Sequence, residues 1–334
     1  MKKKTFTPSD KLNKLLIATG SQVRETALAA THEFAKALEL PLRQGVLNGD
    51  ILNGIFEPIV VTGNSSPEFP LDFVAPGTEK DFVAFTIPNH GYIPQRNVEG
   101  DFVVVPTFDI GNAIDWNLKY ARDARWDIVG RATDVMQAGV IKKMNDDGFH
   151  CLLGAAVDRN IVVVDSDANA GQFTKRLVSL MKTVVRRNGG GNSTSIGRSK
   201  LTDLYLSPEA MEDIRNWNVD QIDELTRREI FMAEDGGLSR IFGVNLHDID
   251  ELGEGQEYQL YATSQLSVTM PSNKVELLVG LDLSKSDSFV MPISEELQVF
   301  EDDNLHRQRR GGIYCWSSQG WACLNSKNVI LGAI

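Results

Sequence analysis

LTDLYLSPEAMEDIR, residues 201–215, holds a strand, a stop and a helix start in one short stretch. Leu201, Leu204 and Leu206 alternate imperfectly with polar residues, the pattern of a strand with a buried face. Ser207 can cap a helix by accepting a backbone N–H, and Pro208 suits the first helical position, where the missing N–H would be unpaired anyway. The stretch therefore predicts a strand ending at Ser207 and a helix from Pro208.

Immediately upstream lies RRNGGGNSTSIGRSK, residues 186–200, the most glycine-dense part of the chain. Glycines, hydroxyls and arginines are the raw material of a phosphate loop, but the register fails. In a G-x-x-x-x-G-K-[ST] loop ending at Gly197-Arg198-Ser199, Asn192 would occupy the first glycine position and Arg198 the lysine position. The context is also reversed. QFTKRLVSLMKTVVRR (172–187) places Phe173, Leu177, Leu180, Met181 and Val184 at helical spacing, so a helix enters the loop and a strand leaves it. A Gly/Ser/Asn-rich surface loop is the better reading.

Further upstream, DWNLKYARDARWDIVGRATDVMQAGVIKKMNDDG is strongly periodic, with Ile128, Val129, Ala132, Val135, Met136, Gly139, Val140 and Met144 at steps of three and four. It predicts one long helix from about Asp115 to Asn145, stopped by Asp146-Asp147-Gly148. A strand-like IVVV (161–164) follows. Seven of the twelve prolines fall between residues 58 and 106. Because proline cannot donate to a ladder, that region predicts an extended, partly unpaired ribbon with strand pieces at Ile59–Val61, Phe82–Ile87 and Phe102–Val105. Before it, Val23, Ala27, Ala30, Phe34, Ala37 and Leu38 form a thin helical stripe that Pro41 should end. Such a segment is expected to be dispensable for folding. Downstream of 215, DQIDELTRREIFMAED reads as a short helix and GGLSRIFGVNLHDIDELGEG as turn, strand and turn. The chain from YQLYATSQLSVTM onward reads as mainly strand.

Composition narrows the function classes. A net charge of −11 argues against tight wrapping of nucleic acid. No apolar run approaches the length of a membrane span, and MKKKTFTPSDKLNK has no apolar core behind its basic cluster, so neither membrane nor secretion is expected. Cys151, Cys315 and Cys323 form no C-x-x-C pair and read as idle thiols. His32, His90, His150, His247 and His306 lack metal-ligand spacing. His247 with Asp248, Asp250 and Glu251 reads as a solvated turn. NHGY (89–92) has no partner for nucleophilic chemistry, and no G-x-S-x-G elbow occurs. Arg307, Arg309 and Arg310 abut Glu301, Asp302 and Asp303, a pattern suited to a protein contact. Tyr314, Trp316 and Trp321 are expected to pack within a terminal sheet. No catalytic, cofactor-binding or metal residue is assigned, no cofactor is expected, and the chain is read as not an enzyme.

The order of elements then acquires meaning: N-terminal segment, proline-rich ribbon, one long helix, glycine loop, strand–Ser-Pro–helix, strand-rich end. In this order LTDLYLSPEAMEDIR (201–215), DARWDIVGRA (123–132) and FEDDNLHRQRRGGIYCWSSQGWACLNSKNVILGAI (300–334) resemble the major capsid proteins of tailed bacteriophages, whose Hong Kong ninety-seven fold is shared with encapsulins. The resemblance implies an α+β fold with an N-terminal arm (1–48) and an extended β-hairpin loop (49–111). A peripheral domain with a spine helix (112–165), an axial domain (166–290) and a C-terminal return to the peripheral domain (291–334) would follow. It implies a self-assembling shell protein forming hexamers and pentamers around double-stranded DNA, without sequence-specific binding, in a virion assembled in the host cytoplasm. The arm would then be needed for assembly, and the loop's Phe69, Phe73, Phe82 and Phe85 would be buried between chains. Scaffolding, portal and decoration proteins are the further partners implied. Some relatives form a lysine–asparagine cross-link; Lys80 with Asn325 or Asn328 are the residues that fit the role. An encapsulin-like compartment is the alternative within the fold, and a nucleotide-binding enzyme using 186–200 the alternative outside it.

Overall fold

The computed structural model describes residues 10–21, 23–49, 51–52, 54–61, 67–70, 102–123, 126–158, 161–188, 199–217, 239–271, 273–284, 288–302 and 305–334. Its first elements are α1 (Asp10–Thr19), α2 (Arg24–Gly49), β1 (Glu57–Val60), β2 (Glu68–Pro70), β3 (Phe102–Val104) and β4 (Phe108–Asn117). Next come α3 (Leu118–Arg122), α4 (Trp126–Val157), β5 (Val162–Val164), α5 (Lys175–Asn188), β6 (Asp203–Leu206) and α6 (Pro208–Asn216). The chain continues through β7 (Ser239–Ile241), β8 (Val244–Asp248), α7 (Glu257–Ser264) and β9 (Leu277–Leu281). It ends with β10 (Phe289–Glu301), β11 (Arg310–Gln319), β12 (Ala322–Cys323) and β13 (Val329–Ala333).

These elements form two compact units. The first comprises Met1–Pro67, Val105–Gly148 and Met291–Trp321. Its sheet runs β1-β10-β11-β4, with β10/β11 and β11/β4 antiparallel. Strand residues alternate between faces. Ile313 and Cys315 on β11, Ile110 and Trp116 on β4, and Leu297 and Val299 on β10 turn inward onto Leu12 and Leu16 of α1, Phe34, Leu38, Leu42 and Val46 of α2, and Val129, Met136, Val140 and Met144 of α4. Phe34 meets Trp116 edge-on, with ring centroids 6.0 Å apart.

The second unit comprises Glu68–Val104, Phe149–Val290 and Ala322–Ile334. Its sheet runs β5-β13-β9-β6-β8-β7. The β13/β5 and β6/β8 pairs are parallel, whereas β13/β9, β6/β9 and β7/β8 are antiparallel. In β6, β9 and β13 every residue is buried, because both sheet faces are covered. That is why LLVGL and VILGA are continuous apolar runs rather than alternating ones. On one face Leu204 and Leu206 pack with Leu177, Val178 and Met181 of α5 and Ala210 and Ile214 of α6. On the other, Phe149 stacks on Tyr258 at 4.4 Å and meets Tyr205 edge-on at 6.4 Å. Gly280 is needed where the layers close: a Cβ there would stand 2.6 Å from Leu201 Cδ1 and 2.9 Å from Ile330 Cγ2.

Several boundaries differ from the sequence expectations. The N-terminal helix does not stop at Pro41 but runs to Gly49 with the proline inside it. Its stripe is not thin, since Phe34, Leu38, Leu42 and Val46 are core residues of the first unit. That burial argues against the expectation that this segment is dispensable for folding. The long helix begins at Trp126, not Asp115, because Asp115–Asn117 complete β4, and it runs through Asp146-Asp147-Gly148 to Val157. Gly148 is a contact position rather than a stop: a Cβ would fall 2.1 Å from Leu52 Cδ1 and 3.1 Å from Trp321 Cδ1. YQLYATS is helix α7, not strand. The 239–248 region is a hairpin whose two-residue turn, Phe242 (φ 51°) and Gly243 (φ 75°), has the positive φ values of a type I′ turn. The helix expected at 220–235, the strand at 82–87, the NHGY stretch, His90, Lys80, Phe73, Phe82, Phe85 and glycine-loop residues 189–198 lie outside the described residues.

Candidate functional site

Ser207 takes the position read from sequence. Its backbone is extended, and its Oγ accepts from Ala210 N at 3.1 Å, with Pro208 opening α6. The same Oγ lies 2.6 Å from Glu276 Oε2. Burial raises the Glu276 carboxyl above its ordinary value; the Ser207 hydrogen bond opposes the rise, and Glu209, Asp213 and Glu254 add to it. Ser207 thus ties the start of α6 to the chain entering β9. A hydroxyl held in this way is a fixed structural bond.

On the opposite edge of the same strand, Asp203 Oδ1 receives His247 Nε2 at 2.8 Å and Asn245 Nδ2 at 2.9 Å. Burial pushes the Asp203 carboxyl up, but hydrogen bonds from His247, Asn245 and Thr202 and the nearby His247 charge outweigh it, so the net shift is downward. The His247 ring stacks on Tyr205 at 4.7 Å, and burial followed by the Asp203 charge pushes the Tyr205 hydroxyl well above its ordinary value. His247 therefore belongs to the β6–β8 pairing, while Asp248 closes β8. Sequence reading missed this bond because Asp203 and His247 are far apart in the chain.

The thiols are no nucleophiles. Burial pushes Cys151 up to about 11 and Cys323 up to about 12, and raises Cys315 as well, so all three are protonated at neutral pH. All three are free. Among the described residues, no group of three or more His, Cys, Asp or Glu side chains is placed to hold a metal ion. No described helix is long and apolar enough to cross a membrane.

The two asparagines considered for a cross-link differ in their surroundings. Asn328 is buried; its Oδ1 accepts from Ser199 Oγ at 2.9 Å and its Nδ2 donates to Ser288 Oγ at 2.5 Å. Asn325 caps the short 3-10 turn Ser326–Asn328, accepting from Lys327 N at 3.1 Å. Both amides have structural work at the start of β13. The Asn328 amide is also shielded from any incoming lysine.

What the chain does present outward is apolar surface on strands. On the β2/β3 ribbon, Phe102 is 59 % and Val104 53 % exposed, and Phe69 is half-buried. On the first unit's sheet, Tyr314 and Trp316 lie on β11 opposite Ala113 and Gly111 of β4, each 40 % exposed. Phe300 of β10 joins them, stacked on Tyr314 at 5.4 Å and edge-on to Trp316 at 6.0 Å. The expected terminal-sheet aromatics are therefore in a sheet, but on its outer face. Trp321 stands apart from them, against Gly148. Two members of the adjoining charge blocks pair within the chain: Arg310 with Asp115 at 2.7 Å and Glu301 with His32 at 2.6 Å.

A chain with these elements in this order, arranged in these two sheets, has the α+β fold found in tailed-bacteriophage capsids. Three solved structures carry the comparison. A chain of Microbacterium phage Oxtober96 is 12% identical, with 86% of this chain and 90% of that one covered at a TM-score of 0.58. The cyanophage Pam1 capsid asymmetric unit gives 12%, 84%, 88% and 0.53 for the same quantities. The capsid of Myoviridae phage XM1 gives 11%, 85%, 90% and 0.51. No protein-family model and no curated protein sequence matches the chain. At these identities the likeness is one of fold.

Proposed function

We propose that this chain is the major capsid protein of a tailed bacteriophage, a structural subunit without catalytic turnover that assembles into hexamers and pentamers and closes a shell around double-stranded DNA. The observation that carries the reading is the shared fold, which extends over most of this chain and most of each chain compared, two of them from phage capsid structures, rather than over one module. The acidic balance fits a surface that lies near DNA without adhering to it.

Within this reading, residues 49–111 serve as the extended loop and 112–165 with 291–334 as the peripheral domain. Residues 166–290 serve as the axial domain, where the glycine loop (186–200) meets its counterparts near a capsomer centre. Residues 1–48 act as the arm, with α1 and α2 also supplying part of the peripheral core. Scaffolding, portal and decoration proteins are the expected partners, and the virion the expected location.

The exposed ribbon supports this assignment. A two-stranded ribbon is marginal in water, and Phe102 and Val104 are costly to leave exposed together. A neighbouring chain that covers them removes both costs. Hydrogen exchange at residues 68–70 and 102–104 should be fast in dissociated subunits and at least tenfold slower in assembled particles. Equal protection in the two states would contradict the assignment.

A further inference from the structure

Two of the three thiols meet within the second unit. Cys151 lies on α4 and Cys323 on β12, and neither is fully buried, whereas Cys315 is buried in the core of the first unit. β12 continues β11 along β10 without a slip in register: Gln319 stands opposite Ile293, Ala322 opposite Val290 and Cys323 opposite Phe289. Alternate residues of such a run share a face, so Gln319, Trp321 and Cys323 turn to the same side. Trp321 meets α4 at Gly148, where an added Cβ would stand 3.1 Å from its Cδ1. Further back, α4 meets the sheet at Gly139, where a Cβ would stand 2.7 Å from Nδ2 of Asn112, the partner of Cys315. Helix α4 and the β11–β12 run therefore advance in the same direction.

From the Gly148–Trp321 contact, Cys151 is one helical turn further on, a step of about 5–6 Å between Cβ positions. Cys323 is two strand residues further on, a step of about 6–7 Å. The two steps are nearly equal and bring the thiols together. The hydrogen bonding agrees. The Cys151 sulfur accepts from the Cys323 backbone N–H, and charge on Cys151 is felt at the Cys323 thiol, which it raises. A disulfide needs the two Cβ atoms about 3.8 Å apart. A sulfur already seated on its partner's main chain reaches the partner's sulfur by side-chain rotation.

We infer that Cys151 and Cys323 form a reversible intrachain disulfide when the folded chain meets a low-molecular-weight disulfide. One cysteine, as thiolate, attacks the reagent's S–S bond, expels one thiolate fragment and is left as a mixed disulfide. The other then attacks the protein sulfur of that mixed disulfide and expels the second fragment. One S–S bond forms and one breaks; the cysteines lose two electrons, the reagent gains them, and the two cysteine protons pass to the two released fragments. Burial keeps both thiols protonated at neutral pH, so the bond forms slowly there. Its rate should rise about tenfold per pH unit as the thiolate fraction grows. Once closed, the bond ties α4 to β12 and restrains chiefly the unfolded chain. It concerns a single chain and does not depend on shell assembly.

The test is oxidation of the full-length, folded chain with 2-hydroxyethyl disulfide at mildly alkaline pH, followed by alkylation and unreduced peptide mapping. Equal amounts of isotopically light and heavy chain are mixed beforehand. Chymotrypsin, cutting after Trp316 and Trp321, separates Cys315 from Cys323. The intact mass should fall by two hydrogens, and the Cys151 and Cys323 peptides should be joined light to light and heavy to heavy. This link should exceed the two pairings that involve Cys315 by about tenfold or more, because only these two Cβ atoms are placed for bridging. In the urea-unfolded chain the preference should pass to Cys315 with Cys323, whose short separation closes the smallest loop. Cys323→Ser should leave Cys151 as a mixed disulfide with no internal bond, and dithiothreitol should restore both thiols in the unaltered chain. Cys315 in the main product of the folded chain, stable mixed disulfides on both Cys151 and Cys323, or links confined to light–heavy pairs would each overturn the inference. So would an absence of oxidation under conditions that fully oxidise the unfolded chain.

Discussion

Ser207 shows what a single residue does in this fold. Its hydroxyl satisfies an otherwise orphaned N–H at the start of α6 and contacts the buried carboxyl of Glu276, in the chain entering β9, 69 positions away in sequence. Ser207→Ala should cost about 1 kcal/mol in urea unfolding, the usual worth of a helix cap. Glu276 gives the pH counterpart. Its folded-state value is raised by burial, so between the ordinary glutamate range and that raised value the folded chain binds more protons than the unfolded one. Stability contributed by this group is present at low pH and lost as pH rises through the folded value. Glu276→Gln, which keeps a hydrogen-bond partner for Ser207, should raise stability at neutral pH and flatten the fall across that window. Parallel stability–pH profiles for the two proteins would refute this. Half of the arrangement was legible in sequence: Ser207-Pro208 is a local signal, read correctly. Glu276 was invisible, because nothing local marks a carboxylate that folding brings to a distant helix start.

Among the elements, the N-terminal helices carry the largest revision. Local rules place a boundary at Pro41, since an interior proline typically costs about 3 kcal/mol. Tertiary burial of Leu42 and Val46 beyond it outweighs that cost. The same competition explains α4: Gly148 resembles a terminator in sequence, yet it is glycine because Leu52 and Trp321 press on the helix there. Helix α7 was missed for the opposite reason, a weak signal, since Gln256 offers no side-chain cap and only Tyr258, Gln259 and Ala262 are buried. The strand-like runs at β9 and β13 were readable because both-face burial writes continuous apolar sequence. Burial of α1 and α2 has a direct consequence. Phe34→Ala should destabilise the first unit by about 3–5 kcal/mol. Deleting residues 1–49 should expose that unit to limited proteolysis rather than leave it folded. A truncated chain as protease-resistant as the full one would restore the view of a detachable arm.

For the whole molecule, the order of elements was more informative than any motif. A ribbon, a long helix, a glycine loop, strand–Ser-Pro–helix and a strand-rich end pointed to the capsid fold, and the fold is shared with chains of phage capsid structures at 11–12% identity. Physical constraints on where strands, caps and breakers fall can remain similar when the residues filling them differ. The contacts that the proposed shell requires were not legible, because an exposed ring such as Phe102 does not name what would cover it. On the proposed function, many copies of this chain close into a shell. Electron microscopy of the overexpressed, purified full-length chain, alone and with its scaffolding protein if one is used, tests it most directly. Closed particles of megadalton mass, or rings of five and six subunits at lower concentration, are expected. A monodisperse monomer at high concentration under both conditions would contradict it.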